Sequence, residues 1–249
     1  MTTTAITTPL LSCRGIVKTF GGLRAVDGVD FDLYEGEIRG LVGPNGSGKS
    51  TMINVLSGHL PLDQGQISIA GHRIEQAEPF RIAEQGMART YQIPRPFSTL
   101  TVRDNVLVAA YFGARDSRSN DAAAEADHWI EFVGLSDVAN ELPDTITLHQ
   151  RKLLELGRAL ATRPRVLFLD EVLAGLNPRE LAVGIDLVHR ISGLGISIVV
   201  VEHIMRVILD LCSHLTVLNF GQVIAQGDPQ DCLRNEAVVS AYLGGGDHA

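Results

Sequence analysis

The chain has 249 residues, 45% hydrophobic and 20% charged, which is enough for a substantial core in one large domain or a domain with a smaller subdomain. Its formal net charge of −8 argues against a broad nucleic-acid-binding face. The apolar runs at 106–112 and 196–201 fall far short of the roughly 20 residues a helix needs to cross a bilayer. The Thr-rich start shows no secretory pattern, so a cytoplasmic protein is expected. Cys13, Cys212 and Cys232 are widely spaced and make no metal-type pair; reduced thiols and no structural metal are expected.

In chain order, Leu11–Phe20 and residues 26–33 read as strands, with turns at Gly21-Gly22 and Glu35-Gly36. Ile38–Val42 is a short apolar strand, and a glycine-rich loop follows it directly. Lys49–Leu56 then reads as a helix, with Gly58 as its terminator. Residues 66–69 read as another strand. The middle is helix-rich. Thr101 and Asp104 open one helix, Asp121 caps a second that ends at Gly134, and Leu153, Leu156 and Leu160 mark a third. Residues 115–120 read as a polar loop between the first two.

Alternation of sheet and helix returns at 166–169. Asn177, Pro178 and Glu180 form a helix start, with Leu181, Ile185 and Val188 on the apolar face. Residues 196–201 read as a buried central strand, and Asn219-Phe220-Gly221 as a tight connection between two more strands. The expected fold class is α/β: a phosphate-loop nucleotide-binding core with an N-terminal antiparallel β region and an inserted helical subdomain. The expected divisions are a flexible start (1–10), the first part of the core (11–91), the helical insertion (92–158), the second part of the core (159–243) and a flexible tail (244–249).

Gly43-Pro44-Asn45-Gly46-Ser47-Gly48-Lys49-Ser50-Thr51 satisfies the Gly-x-x-x-x-Gly-Lys-Ser/Thr spacing. Glycines let successive backbone N–H groups turn inward around phosphate oxygens, and the following helix presents its positive end to the same anion. Lys49 can reach the β- and γ-phosphates, Ser50 can ligand Mg²⁺, and Thr51 can bond a phosphate. The loop alone fits ATP or GTP; the absence of an Asn-Lys-x-Asp sequence weakens the GTP reading. Asp170 and Glu171 emerge from an apolar strand, where ligands bind in open α/β sheets. Asp170 is the expected Mg²⁺-side acid, and Glu171 can orient a water for attack. His203 follows another buried strand and could sense a γ-phosphate, although by position alone a structural role is the default. Gln92 precedes a stiff Ile93-Pro94-Arg95-Pro96-Phe97 segment; from its chemistry alone it is an ordinary surface glutamine.

Together these motifs resemble the ATP-binding subunits of ABC transporters, over nearly the whole chain. Phe20-Gly21-Gly22, Arg89-Thr90-Tyr91-Gln92, Asp170 through Pro178 and Ala241-Tyr242-Leu243-Gly244 resemble the ATPases of branched-chain or hydrophobic amino acid importers. The resemblance implies that Phe20 stacks on adenine, Gly43 to Thr51 form the Walker A loop, and Asp170 and Glu171 close Walker B. It makes Glu171 the catalytic carboxylate, with Lys49, Gln92 and His203 as further catalytic residues and Ser50, Gln92 and Asp170 on the metal side. Thr147, Leu148, His149 and Gln150 stand at the signature that covers a partner's ATP, with His149 in place of a glycine. Ala174, Gly175, Leu176 and Asn177 stand at the D-loop. The implied cofactors are ATP and Mg²⁺. The implied partners are membrane permease subunits, a second ATPase subunit and, indirectly, a solute-binding protein, with no nucleic acid. The implied location is the cytoplasmic face of the cell membrane, peripherally bound. Urea importers share much of the pattern, and a soluble ABC-type ATPase acting on nucleic acid or ribosomes is the remaining alternative.

Overall fold

The computed structural model describes residues 8–113 and 122–243. The 115–120 loop, the Asp121 cap, most of the expected flexible start and the tail from Gly244 lie outside the described residues.

In chain order the elements are β1 (Leu11–Phe20), β2 (Leu23–Leu33), β3 (Ile38–Val42), α1 (Lys49–Leu56), β4 (Gln64–Ile69), β5 (His72–Arg73), α2 (Pro79–Glu84) and β6 (Met87–Arg89). The helical region follows with α3 (Val102–Gly113), α4 (Ala122–Phe132) and α5 (Leu148–Ala161). The chain closes with β7 (Val166–Asp170), α6 (Pro178–Gly193), β8 (Ser197–Val201), α7 (Met205–Leu211), β9 (His214–Asn219), β10 (Gln222–Gly227), α8 (Pro229–Arg234) and α9 (Glu236–Leu243).

Among the described residues two sheets form. An antiparallel sheet runs β2-β1-β4-β5. The central sheet runs β10-β9-β3-β8-β7-β6, parallel throughout except for the β9–β10 hairpin. The central strands are buried on both faces, and their side chains alternate between two cores. Val166 and Phe168 of β7 and Val199 and Val201 of β8 face one core, shared with Met52, Ile53 and Leu56 of α1 and with the antiparallel sheet. Leu167, Leu169, Ile198 and Val200 face the other, shared with α3 to α7. This two-sided burial explains why β7 and β8 read as continuous apolar runs. Ser197, the polar residue of β8, is satisfied: its Oγ accepts from Gly36 N at 2.9 Å.

β3, α1 and the Asn177 capping box appear with the expected residues. Gly58 follows the α1 C-cap residue Ser57 with φ +73, as a helix terminator does. Phe220 and Gly221 both have positive φ, 46 and 80, which closes the β9–β10 hairpin tightly.

Other expectations shift. β2 starts at Leu23 rather than Val26, because Phe20 pairs directly with Leu23 across the Gly21-Gly22 turn. β4 starts at Gln64 because Val17 pairs with it. Leu10, assigned to the flexible start, is buried and tied in: its N–H donates to Leu33 O at 2.8 Å and its carbonyl accepts from Ala70 N at 2.7 Å. The deepest face of α6 is Gly184, Leu187, Val188 and Ile191, while Leu181 and Ile185 are half-buried at its edge.

Candidate functional site

The C-terminal ends of β3, β6, β7 and β8 converge because these strands are parallel neighbours. Each delivers one predicted group. β3 runs into the phosphate loop, β6 into Thr90-Tyr91-Gln92, β7 into Asp170-Glu171, and β8 into Glu202-His203.

The loop's shape depends on glycine at two positions. Gly48 has φ +107, and a Cβ there would stand 2.3 Å from Ala25 O. Gly43 has φ +151, and a Cβ would stand 2.1 Å from Leu218 O. The loop is therefore wedged between β2 and the β9–β10 hairpin. Gly221 N donates to Ser47 O and Asp27 N to Gly221 O, both at 2.9 Å. The Lys49 ammonium lies over the loop, donating to Gly43 O at 2.8 Å and Pro44 O at 3.0 Å. Burial lowers its pKa, opposed by the nearby Glu171 and Asp170 carboxylates. Gly48 caps α1 without a side chain, so the first N–H groups of the helix point toward the loop unpaired by the helix itself.

This cradle fits a nucleotide's phosphates. The phosphate-loop motif implies that Mg²⁺ accompanies the nucleotide. Among the described residues no group of three or more His, Cys, Asp or Glu could hold a metal alone. The predicted metal-side residues Ser50, Asp170 and Gln92 stand at the start of α1, the end of β7 and just past β6.

Asp170 is buried, and burial raises its pKa; Arg89 opposes this most strongly, with its guanidinium 3.5 Å away. Arg89 Nη1 also donates to Asn54 Oδ1 at 2.7 Å and Ser57 Oγ at 3.0 Å, binding the end of α1 to the end of β7. Thr90 stitches the start of the Gln92 segment to β7: its N–H donates to Phe168 O at 2.9 Å, and its Oγ1 accepts from Asp170 N at 3.1 Å.

Glu171 stands at the centre of the predicted set. Gln92 Nε2 donates to its Oε2 at 2.6 Å, and His203 Nδ1 lies 3.9 Å from its Oε1. The two groups that sequence chemistry supported least thus flank the two oxygens of one carboxylate. Glu171 has φ +51, a left-handed conformation that costs a non-glycine residue about 1–3 kcal/mol and persists where the surroundings impose it.

Phe20 is 47% exposed, with the Lys18 ammonium 5.5 Å from its ring centre. It lies at the same end of the β1–β2 hairpin as Ala25, whose carbonyl abuts the phosphate loop.

Thr147 caps α5. Its Oγ1 accepts from Gln150 N at 3.2 Å, and Gln150 Oε1 accepts from Thr147 N at 2.9 Å. Leu148 is exposed. His149 turns inward, lining a small apolar cavity with Leu169, Val172, Leu173 and Leu176. The His149 side chain, which stands in place of a glycine, thus packs against the turn that follows β7. Ala174, Gly175 and Leu176 cross from Glu171 to α6. The Asn177 Oδ1 accepts from Arg179 N and Glu180 N at 3.0 Å and so serves the helix start.

Sequence reasoning missed Arg89, Glu202 and Lys152. Glu202 is buried, its Oε1 accepts from Leu173 N at 3.0 Å, and burial pushes its carboxyl above the usual range. A charge between a buried strand and a histidine was the one available signal.

The fold and the site define a P-loop nucleotide-binding protein. Residues 26–174 match the family model described as ABC transporter, and residues 222–248 match that of the branched-chain amino acid ATP-binding cassette transporter. The chain is 35% identical over 250 residues to the high-affinity branched-chain amino acid transport ATP-binding protein BraF of Pseudomonas aeruginosa, covering 95% of this chain and 98% of the relative. It is 34% identical to LivG of Escherichia coli K12, a protein of the same description, with 95% and 98% covered. Its fold matches the crystal structure of the ADP conformation of MJ1267, an ATP-binding cassette of an ABC transporter, at TM-score 0.86 and 32% identity over 96% of this chain and all of that one. The chain belongs to the ATP-binding subunits of ABC transporters and resembles those of branched-chain amino acid importers.

Proposed function

We propose that this chain hydrolyses ATP with Mg²⁺ and drives the import of branched-chain or related amino acids through partner membrane subunits. The observation that carries the hydrolytic part is the Glu171 carboxylate, held by Gln92 at the end of β7, which only β8 separates from β3 and the phosphate loop that β3 runs into. The importer assignment rests on the branched-chain match at residues 222–248 and on the relatives' transport descriptions.

In this reading Gly43 to Thr51 hold the phosphates, and Lys49 neutralises charge on them. Ser50 and Asp170 would hold Mg²⁺, which would supply withdrawal of charge from the phosphate oxygens. Glu171 orients the attacking water and accepts its proton; Gln92 holds one carboxylate oxygen by a hydrogen bond, and His203 stands beside the other. Phe20 stacks on the adenine. Residues 147–150 cover ATP bound to a partner ATPase, and the partner's equivalent covers ATP on this chain. Residues 174–177 face that partner.

No helix among the described residues is long and apolar enough to cross a membrane. A groove of about 590 Å³ between α2, α3 and α5 exposes Phe80, Phe97 and Phe112. It is the surface of the helical region that suits a membrane subunit on the cytoplasmic side, with a solute-binding protein delivering cargo from the other side.

Co-purification with the membrane subunits, followed by ATP turnover with and without amino acid cargo, tests the assignment. Stimulation by leucine, isoleucine or valine supports it. Stimulation by urea alone, or by nucleic acid without any membrane subunit, overturns it.

A further inference from the structure

Lys152 makes a connection that no sequence motif announces. It lies on α5, just past the cap formed by Thr147 and Gln150, yet its ammonium reaches the turn that follows β7. Nζ donates to Glu171 O at 3.0 Å and to Ala174 O at 2.9 Å. These carbonyls bracket the turn from the predicted catalytic carboxylate into the D-loop. The same turn is held from elsewhere: Glu171 N donates to Val201 O at 2.9 Å, and Leu173 N donates to Glu202 Oε1 at 3.0 Å. Glu171 is in the left-handed conformation, φ +51, so its backbone stays in place only while such bonds oppose relaxation. Charge-assisted bonds are the stronger kind, and an ammonium on a flexible stem can serve two carbonyls at once.

We propose that Lys152 is a positioning residue for hydrolysis: by clamping both ends of the 171–174 turn it sets the Glu171 carboxylate and ties that carboxylate to the start of α5. The inference rests on the reading of Glu171 as the hydrolytic group. It gives the α5 start a second task. Any displacement of α5 relative to the central sheet pulls on the backbone of Glu171 through one side chain, so a helix read as serving the partner's ATP also reports to this chain's own site.

The test compares Lys152→Met and Lys152→Arg in the full-length chain. Hydrogen exchange on the chain alone should show amides of residues 172–176 opening about tenfold more readily in Lys152→Met, with Lys152→Arg near wild type. In the assembled transporter, Lys152→Met should lower kcat about tenfold or more while changing ATP affinity less than about twofold, and Lys152→Arg should recover most of the rate. In a Glu171→Gln background, Lys152→Met should add no further loss. If Lys152→Met does not fold, Lys152→Gln, which keeps a donor and drops the charge, carries the same comparison.

Unchanged exchange at 172–176, an unchanged kcat, a fall in ATP affinity that tracks the fall in rate, or losses that multiply with Glu171→Gln would each overturn the proposal. Normal turnover by Glu171→Gln would instead remove the hydrolytic reading. An inactive Glu171→Gln beside a fully active Lys152→Met would leave that reading standing and remove only the role of Lys152.

Discussion

The phosphate loop and the start of α5 are both short polar segments that open a helix, but they are held in different ways. The loop grows directly out of β3, and its shape is set by steric demands at two of its glycines, with Ala25 O and Leu218 O leaving no room for a Cβ at Gly48 and Gly43. The start of α5 is fixed by a local capping box and then by long reach, through Lys152 and the inward packing of His149, to residues some twenty positions later. The first region is contiguous in sequence with β3 and α1, although the carbonyls that exclude a Cβ come from β2 and β9. The second acquires its geometry only once the sheet and helical region have come together.

That difference can be broken or sharpened by substitution. The largest effect is expected beneath the loop's own support. Phe168 of β7 is fully buried in the core shared with α1 and the antiparallel sheet, and Phe168→Ala should cost about 3–5 kcal/mol in denaturant unfolding. A loss below about 1 kcal/mol would mean that the two-core description of β7 is wrong. Next comes the loop itself. Gly48→Ala forces a Cβ against Ala25 O at a φ that L-residues avoid, and titration calorimetry should show ATP affinity reduced about tenfold or more.

Smaller effects belong to the α5 side. Thr147→Ala removes the cap bond to Gln150 N and should lower stability by about 1 kcal/mol, read from thermal or chemical unfolding. The smallest is Glu202→Gln. Because the folded-state pKa of Glu202 is raised, its contribution is fully favourable only below the unfolded carboxylate pKa, and it is lost as pH rises through the folded value. When ionised, the group is a liability, with Oε2 buried and lacking a partner. Glu202→Gln should therefore raise Tm by about 2 °C at pH 7–8, an advantage that fades as the pH falls through the raised folded value and is gone by 4.5. A gain that grows on acidification would contradict the assignment of burial as the cause.

The same contrast governs what could be read from the chain. β3 and α1 emerge with their expected bounds because an apolar strand, a glycine-rich loop and a helical face follow one another without interruption. Asn177, Pro178 and Glu180 were legible as a helix start for the same local reason. β6 was not: three residues carry no period, and Met87–Arg89 is a strand only because it pairs with Val166, Leu167 and Phe168. α2 is also short, and its one buried residue, Ile82, leaves no repeating face. Gln92 looks like a surface glutamine and is indeed exposed, yet it donates to Glu171, 79 positions away. Arg89 and Lys152 have no local signature, because what defines each is a partner supplied by another strand or turn. Their chemistry was visible in the sequence; the approach that gives it a use was not.

The central claim is that Glu171 is the carboxylate that turns a phosphate cradle into an ATPase. It is tested most directly by comparing ATP binding and steady-state ATP turnover for Glu171→Gln and wild type in the assembled transporter. The amide keeps the side chain's size and can still accept a hydrogen bond from Gln92, so nucleotide affinity should stay within about threefold while turnover falls by at least about a hundredfold. Turnover within about twofold of wild type, with ATP bound normally, would contradict the account.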